Sequence, residues 1–200
     1  MDEDIIKSAR EIAAEKVQKI GQATEEERLG WKYTPLGETL AGKYLKDDIN
    51  LLAELSQYQE NVKPYVIKGA VEVLIRNIEL QKNDAFKKKN KKVMDGLKLL
   101  KKDKVGLENI YSKIRYLFTH YDDQGEQQRR QAYQSLKADM EARVQEAVQK
   151  QIGSSSATAP KIDVEKQPQF QQEWRKLQGQ LDTAYLVHLD DYKHELAALQ

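Results

Sequence analysis

Between Pro64 and Tyr121 apolar residues return every three or four positions, and a chain with that rhythm folds as helices that each bury one stripe. Ile67, Val71, Leu74 and Ile78 open the series. Phe86, Val93, Leu97 and Leu100 resume it, with Asn90 at the one polar seam position. Between Ile78 and Phe86 the step runs four and four through Lys82, a stutter that unwinds a supercoil locally. Leu107, Ile110, Ile114, Leu117 and Tyr121 carry the pattern on. The spacing predicts two long helices. The first opens at Pro64, whose missing N–H and fixed φ suit a first turn. Lys101–Gly106 is expected to join them, with Gly106 ending the first helix in the left-handed conformation. A connection this short makes neighbouring helices antiparallel. The alternative is one continuous helix through Gly106.

Composition narrows the fold further. Charged residues make up 32% and aromatics only 8%, so long rods burying narrow stripes fit better than a thick round core. The expected fold is all-α, an elongated, mainly antiparallel helical bundle with coiled-coil character. Lys and Arg number 33 against 32 Asp and Glu, and a net charge of +1 gives no global field toward nucleic acid or an acidic membrane. The absence of cysteine excludes disulfides and thiolate metal sites. No apolar run is long enough to cross a bilayer. Met1-Asp2-Glu3-Asp4 lacks the basic start of a signal peptide, so the cytoplasm is the expected compartment.

Taken in order, residues 2–22 read as a helix with Ile5, Ile6, Ala9, Ile12, Ala13, Val17 and Ile20 on one face and Gly21 at its end. Thr24 and Glu27 fit a capping box. Residues 30–46 are the least helical part, because Gly30, Pro35 and Gly37 interrupt it and Trp31 and Tyr33 alternate with polar residues. An irregular insert is expected there, a short extended piece or small hairpin with the aromatics plugging one end of the bundle, and then a short helix over Glu38–Leu45. The string from Tyr33 to Ala41 resembles the wing-to-helix join of winged-helix DNA-binding proteins. The helical core with a basic recognition helix that should precede such a join is missing.

Asp47 or Asp48 is the expected cap of a helix carrying Leu51, Leu55, Tyr58 and Val62, broken or kinked before Pro64. Asp122–Gln131 is polar all round, and a break or bend is expected with Asp123 as cap and Glu126 three residues on. Helix then resumes with Tyr133, Leu136, Met140, Val144, Ala147 and Ile152 on one face. The organisation read from the chain is a bundle over 1–152, a linker over 153–167 and a C-terminal helix over 168–200 that docks on the bundle or on a partner.

Chemistry is sparse. Lys82–Lys104 holds ten lysines and three aspartates. Lys87, Lys88, Lys89, Lys91, Lys92, Lys98, Lys101 and Lys102 are its candidate contacts to an anionic membrane or nucleic acid. A solvated outer helix face explains the same run. Asp191 and His194 have the helical spacing of carboxylate-bridged metal bundles, but no second such pair accompanies them, so no metal and no cofactor is expected. Nucleophile motifs and phosphate loops are absent, and no enzymatic activity is expected. Phe170, Trp174, Leu177, Leu181 and Tyr185 form the stripe expected to meet a partner helix. The expected function is therefore structural: a scaffold whose helical surfaces bind another protein or a second copy of the chain. The alternative is electrostatic binding of anionic polymer or membrane through residues 82–104.

Overall fold

The computed structural model describes residues 10, 11, 14, 23–47, 49–152 and 163–199. Two expected segments lie outside them: most of the helix at 2–22 and the serine-rich stretch at 153–160. Among the described residues the fold is all-α, with no strand. In order come α1 (Glu25–Asp47), α2 (Leu51–Ser56), α3 (Lys63–Arg76), α4 (Asp84–Leu100), α5 (Lys104–His120), a π-turn (Tyr121–Gly125), α6 (Glu126–Ile152), a 3₁₀ turn (Val164–Lys166) and α7 (Pro168–Ala198). They form two compact units, Met1–Ile75 and Arg76–Gln200.

In the first unit, Thr24 and Glu27 make the expected capping box: the Glu27 N–H donates to Thr24 Oγ1 at 3.2 Å and the Thr24 N–H to Glu27 Oε2 at 2.8 Å. The expected helix over Glu38–Leu45 is present, but the irregular piece expected before it is helix as well. Residues 30–46 lie inside α1, with Pro35 in mid-helix and no room for a wing. The reason is tertiary. Gly37 and Gly69 bring the backbones of α1 and α3 together, so that a Cβ at Gly37 would lie 1.9 Å from the Val66 carbonyl oxygen and one at Gly69 2.0 Å from that of Thr34. Gly37, Leu40 and Ala41 then bury one face of α1, which outweighs one hydrogen bond lost at Pro35. Trp31 remains 58% exposed and plugs nothing. The cap of α2 is Asn50, whose side chain accepts from the Ala53 N–H at 3.1 Å, rather than Asp47.

The expected single helix from Pro64 to Leu100 is two. The chain leaves helix after Arg76, at the stutter, and re-enters at Asp84 with Asn83 as cap. Asn90, the polar seam residue, holds this break. Its side chain is 1% exposed, its Nδ2 donates to the Glu79 carbonyl at 2.6 Å, and its Oδ1 accepts from the Glu79 N–H at 3.0 Å. Ile78 and Leu80 are buried on either side of that clamp. The turn between α4 and α5 is also shorter than expected. Asp103 caps α5, and Gly106 sits inside its first turn, donating its N–H to Asp103 Oδ1 at 2.9 Å.

The expected break at Asp122–Gln131 is a π-turn instead, and α5 runs through it into α6. α7 lies antiparallel along both halves. Lys113 meets Glu195, His120 meets Tyr185, Tyr121 meets Asp182, and Tyr133 meets Trp174, numbers rising on one side and falling on the other. The final residues of the expected linker are structured, and Val164 packs with Met140 and Phe170 in one buried cluster.

Two substitutions separate the units. Asn90→Ala strands the Glu79 N–H and carbonyl and is expected to cost roughly 2–4 kcal/mol in the second unit. Gly37→Ala forces apart two backbones in the first, expected to cost roughly 3 kcal/mol or more. Hydrogen exchange read separately for residues 23–75 and 76–199 checks that each loss falls in its own unit.

A candidate functional site at the π-turn

An α-helix turns about 100° per residue, so the twelve steps from Tyr121 to Tyr133 would leave the two side chains about 120° apart around a regular helix. Both face α7. A π-turn accommodates one residue more than an α-turn, which rotates the following helix back by about that amount. The polar segment Tyr121–Gly125 is thus where the long helix resets its face, and the site is built around it.

On one side of the reset a chain of polar contacts crosses to α7. Tyr121 is buried and donates its hydroxyl to Asp182 Oδ1 at 3.0 Å. Asp182, itself only 6% exposed, also pairs with Lys82 Nζ at 2.7 Å. The Arg129 guanidinium lies 4.2 Å from the Tyr121 ring centroid and donates from Nη2 to the Tyr121 carbonyl at 3.3 Å. Burial first, then the hydrogen bond to Asp182, pushes the Tyr121 phenol up to about 12. Lys87 of α4 pairs with Asp122 of the π-turn at 2.8 Å, and that hydrogen bond holds its ammonium above the usual lysine range.

On the other side the rings of Tyr121 and Tyr185 meet edge to face at 5.0 Å, and His120 Nδ1 lies 3.1 Å from the Tyr185 hydroxyl. Beyond them, between α5 and α7, runs an open groove of about 520 Å³. Tyr116, Leu117, Leu181, Tyr185, His188 and Tyr192 contribute to its lining. Tyr116 stands at its edge, 74% exposed.

The lysines flagged in the sequence separate into groups. Lys87 and Lys89 are committed to Asp122 and Glu79. Lys101 is buried, its ammonium on the Leu199 carbonyl at the end of α7, and burial pulls its pKa down; it is not a surface contact. Lys92 is half-buried, while Lys88, Lys91, Lys98 and Lys102 are exposed. Of the expected partner stripe, Phe170 is fully buried by this chain, Trp174 and Leu177 are half-buried, and Leu181 and Tyr185 line the groove. Sequence reading missed Arg129, Arg175 and Asp182. The one signal for Asp182 was a carboxylate beside Leu181 and Tyr185 on an otherwise apolar seam. Among the described residues no three His, Asp or Glu side chains converge.

Residues 52–198 match a family described as a family of unknown function, DUF6657. The chain belongs to DUF6657. No curated protein and no solved structure matches it. The DUF6657 region contains the whole π-turn and α7, whereas α1 with Trp31 precedes it. Among the described residues no helix is long and apolar enough to cross a membrane.

The tyrosine couples the site to stability in alkali. An unfolded tyrosine ionises near pH 10, while Tyr121 keeps its proton to about 12. Between those values the unfolded chain has lost a proton that the fold retains. Stability present below pH 10 therefore falls as pH rises through this window. In Tyr121→Phe the slope of unfolding free energy against pH between 10 and 12 is expected to become shallower, measured by urea titration at each pH.

Proposed function

We propose that the protein is a non-enzymatic helical scaffold whose groove between α5 and α7 receives the apolar face of a helix from a partner protein. The observation that carries this reading is the groove itself. Much of the α7 stripe is consumed inside the chain, yet Leu181 and Tyr185 face an open channel whose edge is a tyrosine left 74% exposed. Exposed aromatics beside an apolar cleft are the residues that anchor protein interfaces. From Gln180 to Tyr192 the lining runs twelve residue steps along α7, about 18 Å at about 1.5 Å per step, the length of a three-turn helix. Two parallel ridges of side chains with a channel between them suit a third helix laid along them. The polar groups available, the His120 and His188 imidazoles and the Gln128 and Gln180 amides, orient an occupant through hydrogen bonds, with no carboxylate or ammonium among them.

A photo-crosslinking amino acid in place of Tyr116 tests this in the native cell. One adduct of defined mass is expected, with its yield falling about tenfold or more when Leu181→Asp places a charge in the channel. An adduct at twice the mass of the chain would identify the occupant as a second copy and contradict a heterologous partner. Absence of any adduct, or one indifferent to Leu181→Asp, would remove the groove as the binding surface.

A further inference from the structure

Opposite the groove, the polar side of the π-turn opens into a recess of about 350 Å³ bounded by Lys82, Tyr121, Arg129, Arg175, Gln178 and Asp182. Three cations face one carboxylate, and that carboxylate is already engaged. Asp182 accepts the Tyr121 hydroxyl and pairs with Lys82. What remains is two guanidinium groups. Among the described residues no carboxylate lies within ion-pair distance of Arg129 or Arg175.

The two arginines are not equivalent. Arg129 is held in place, its guanidinium against the Tyr121 ring and Nη2 on the Tyr121 carbonyl, with further N–H donors unused. Gly125 gives it room: a Cβ there would come within 3.1 Å of Nη1. Arg175 is exposed and projects from α7 on the face that carries Gln178, Gly179 and Asp182, three, four and seven residues on. Gly179 leaves that wall open, since a Cβ there would touch nothing within 4 Å. A guanidinium held on Tyr121 and an exposed one, with a lysine beside them, are the donor types that bind tetrahedral oxyanions bidentately. The volume falls in the range of small-molecule sites and exceeds what a bare oxyanion fills.

From this arrangement we infer that the recess binds the phosphoryl group of a small phosphate monoester, with Arg129 and Arg175 as its ligands and Lys82 as the adjoining charge. The lysine-rich helix contributes to this site only through its neighbour Lys82. The inference is independent of the groove: Tyr185 lines the groove, Tyr121 lines the recess, and no residue lines both.

The test is calorimetric titration of the full chain at constant ionic strength with inorganic phosphate, with glycerol 3-phosphate, and with vesicles of phosphatidylcholine containing phosphatidic acid. Saturable binding of one glycerol 3-phosphate per chain is expected, with inorganic phosphate weaker. Arg175→Gln, an exposed position whose fold is checked by circular dichroism, is expected to weaken binding about tenfold or more. Asp182→Asn keeps an acceptor for Tyr121 while removing the one negative charge, and is expected to tighten it. Lys88→Gln with Lys91→Gln leaves it unchanged. Binding only of phosphatidic acid vesicles, lost in Arg175→Gln, would contradict the small-molecule ligand and place a lipid headgroup at the same arginines. No binding of any probe, or equal binding by wild type and Arg175→Gln, would overturn the site.

Discussion

One helix that must keep the same face toward α7 from Lys113 to Val144 is the constraint on which the second unit depends. From Lys104 to Ile152 the chain has no break, and α7 runs back along it. A 3.6-residue helix cannot present Tyr121 and Tyr133 to the same neighbour without a correction. The π-turn supplies it in one step. Downstream, the reset seats Tyr133 edge to face with Phe170 at 5.3 Å and Trp174 at 5.0 Å, and it brings Met140 onto the cluster with Val164. Upstream, it leaves Leu107, Ile110, Ile114 and Leu117 in the core.

The same reset explains why polar chemistry gathers at this point. A wider turn spaces successive side chains differently from an α-turn, and the residues that fit there are small or polar: Asp122, Asp123, Gln124 and Gly125. Arg129 reaches back to the Tyr121 carbonyl, and Tyr121 reaches across to Asp182. A buried carboxylate is tolerable because a hydroxyl and an ammonium both engage it. The groove and the cationic recess are two sides of one structural feature, and both owe their position to where the helix changes pitch.

Periodicity made the fold class, the α4–α5 hairpin and the start of α7 at Pro168 legible before any coordinates. What it could not reveal was which irregularities are absorbed and which end a helix. Pro35 and two flanking glycines looked like a loop, yet Gly37 and Gly69 are contact surfaces between helices, a property of the pair that neither segment carries alone. The stutter at Lys82 looked like a supercoil adjustment and is a break, because Asn83 and Asn90 offer the backbone alternative hydrogen bonds. The stretch at Asp122 looked like a break and is continuous, because packing on either side rewards an unbroken axis. Of the site, Leu181 and Tyr185 were visible as a stripe. Arg129, Arg175 and Asp182 come together only through the antiparallel docking of α7, which no local pattern encodes.

Deleting Gln124 tests the register argument most directly. Removing one residue converts the π-turn to an α-turn and rotates α6 by about 100° relative to α5. In a Trp31→Phe background, where Trp174 is the sole fluorophore of its kind, the account predicts a red-shifted Trp174 emission and a melting temperature lowered by ~5 °C or more. An unchanged emission spectrum and unchanged melting temperature would show that the second unit does not depend on the extra residue, and the account would be contradicted.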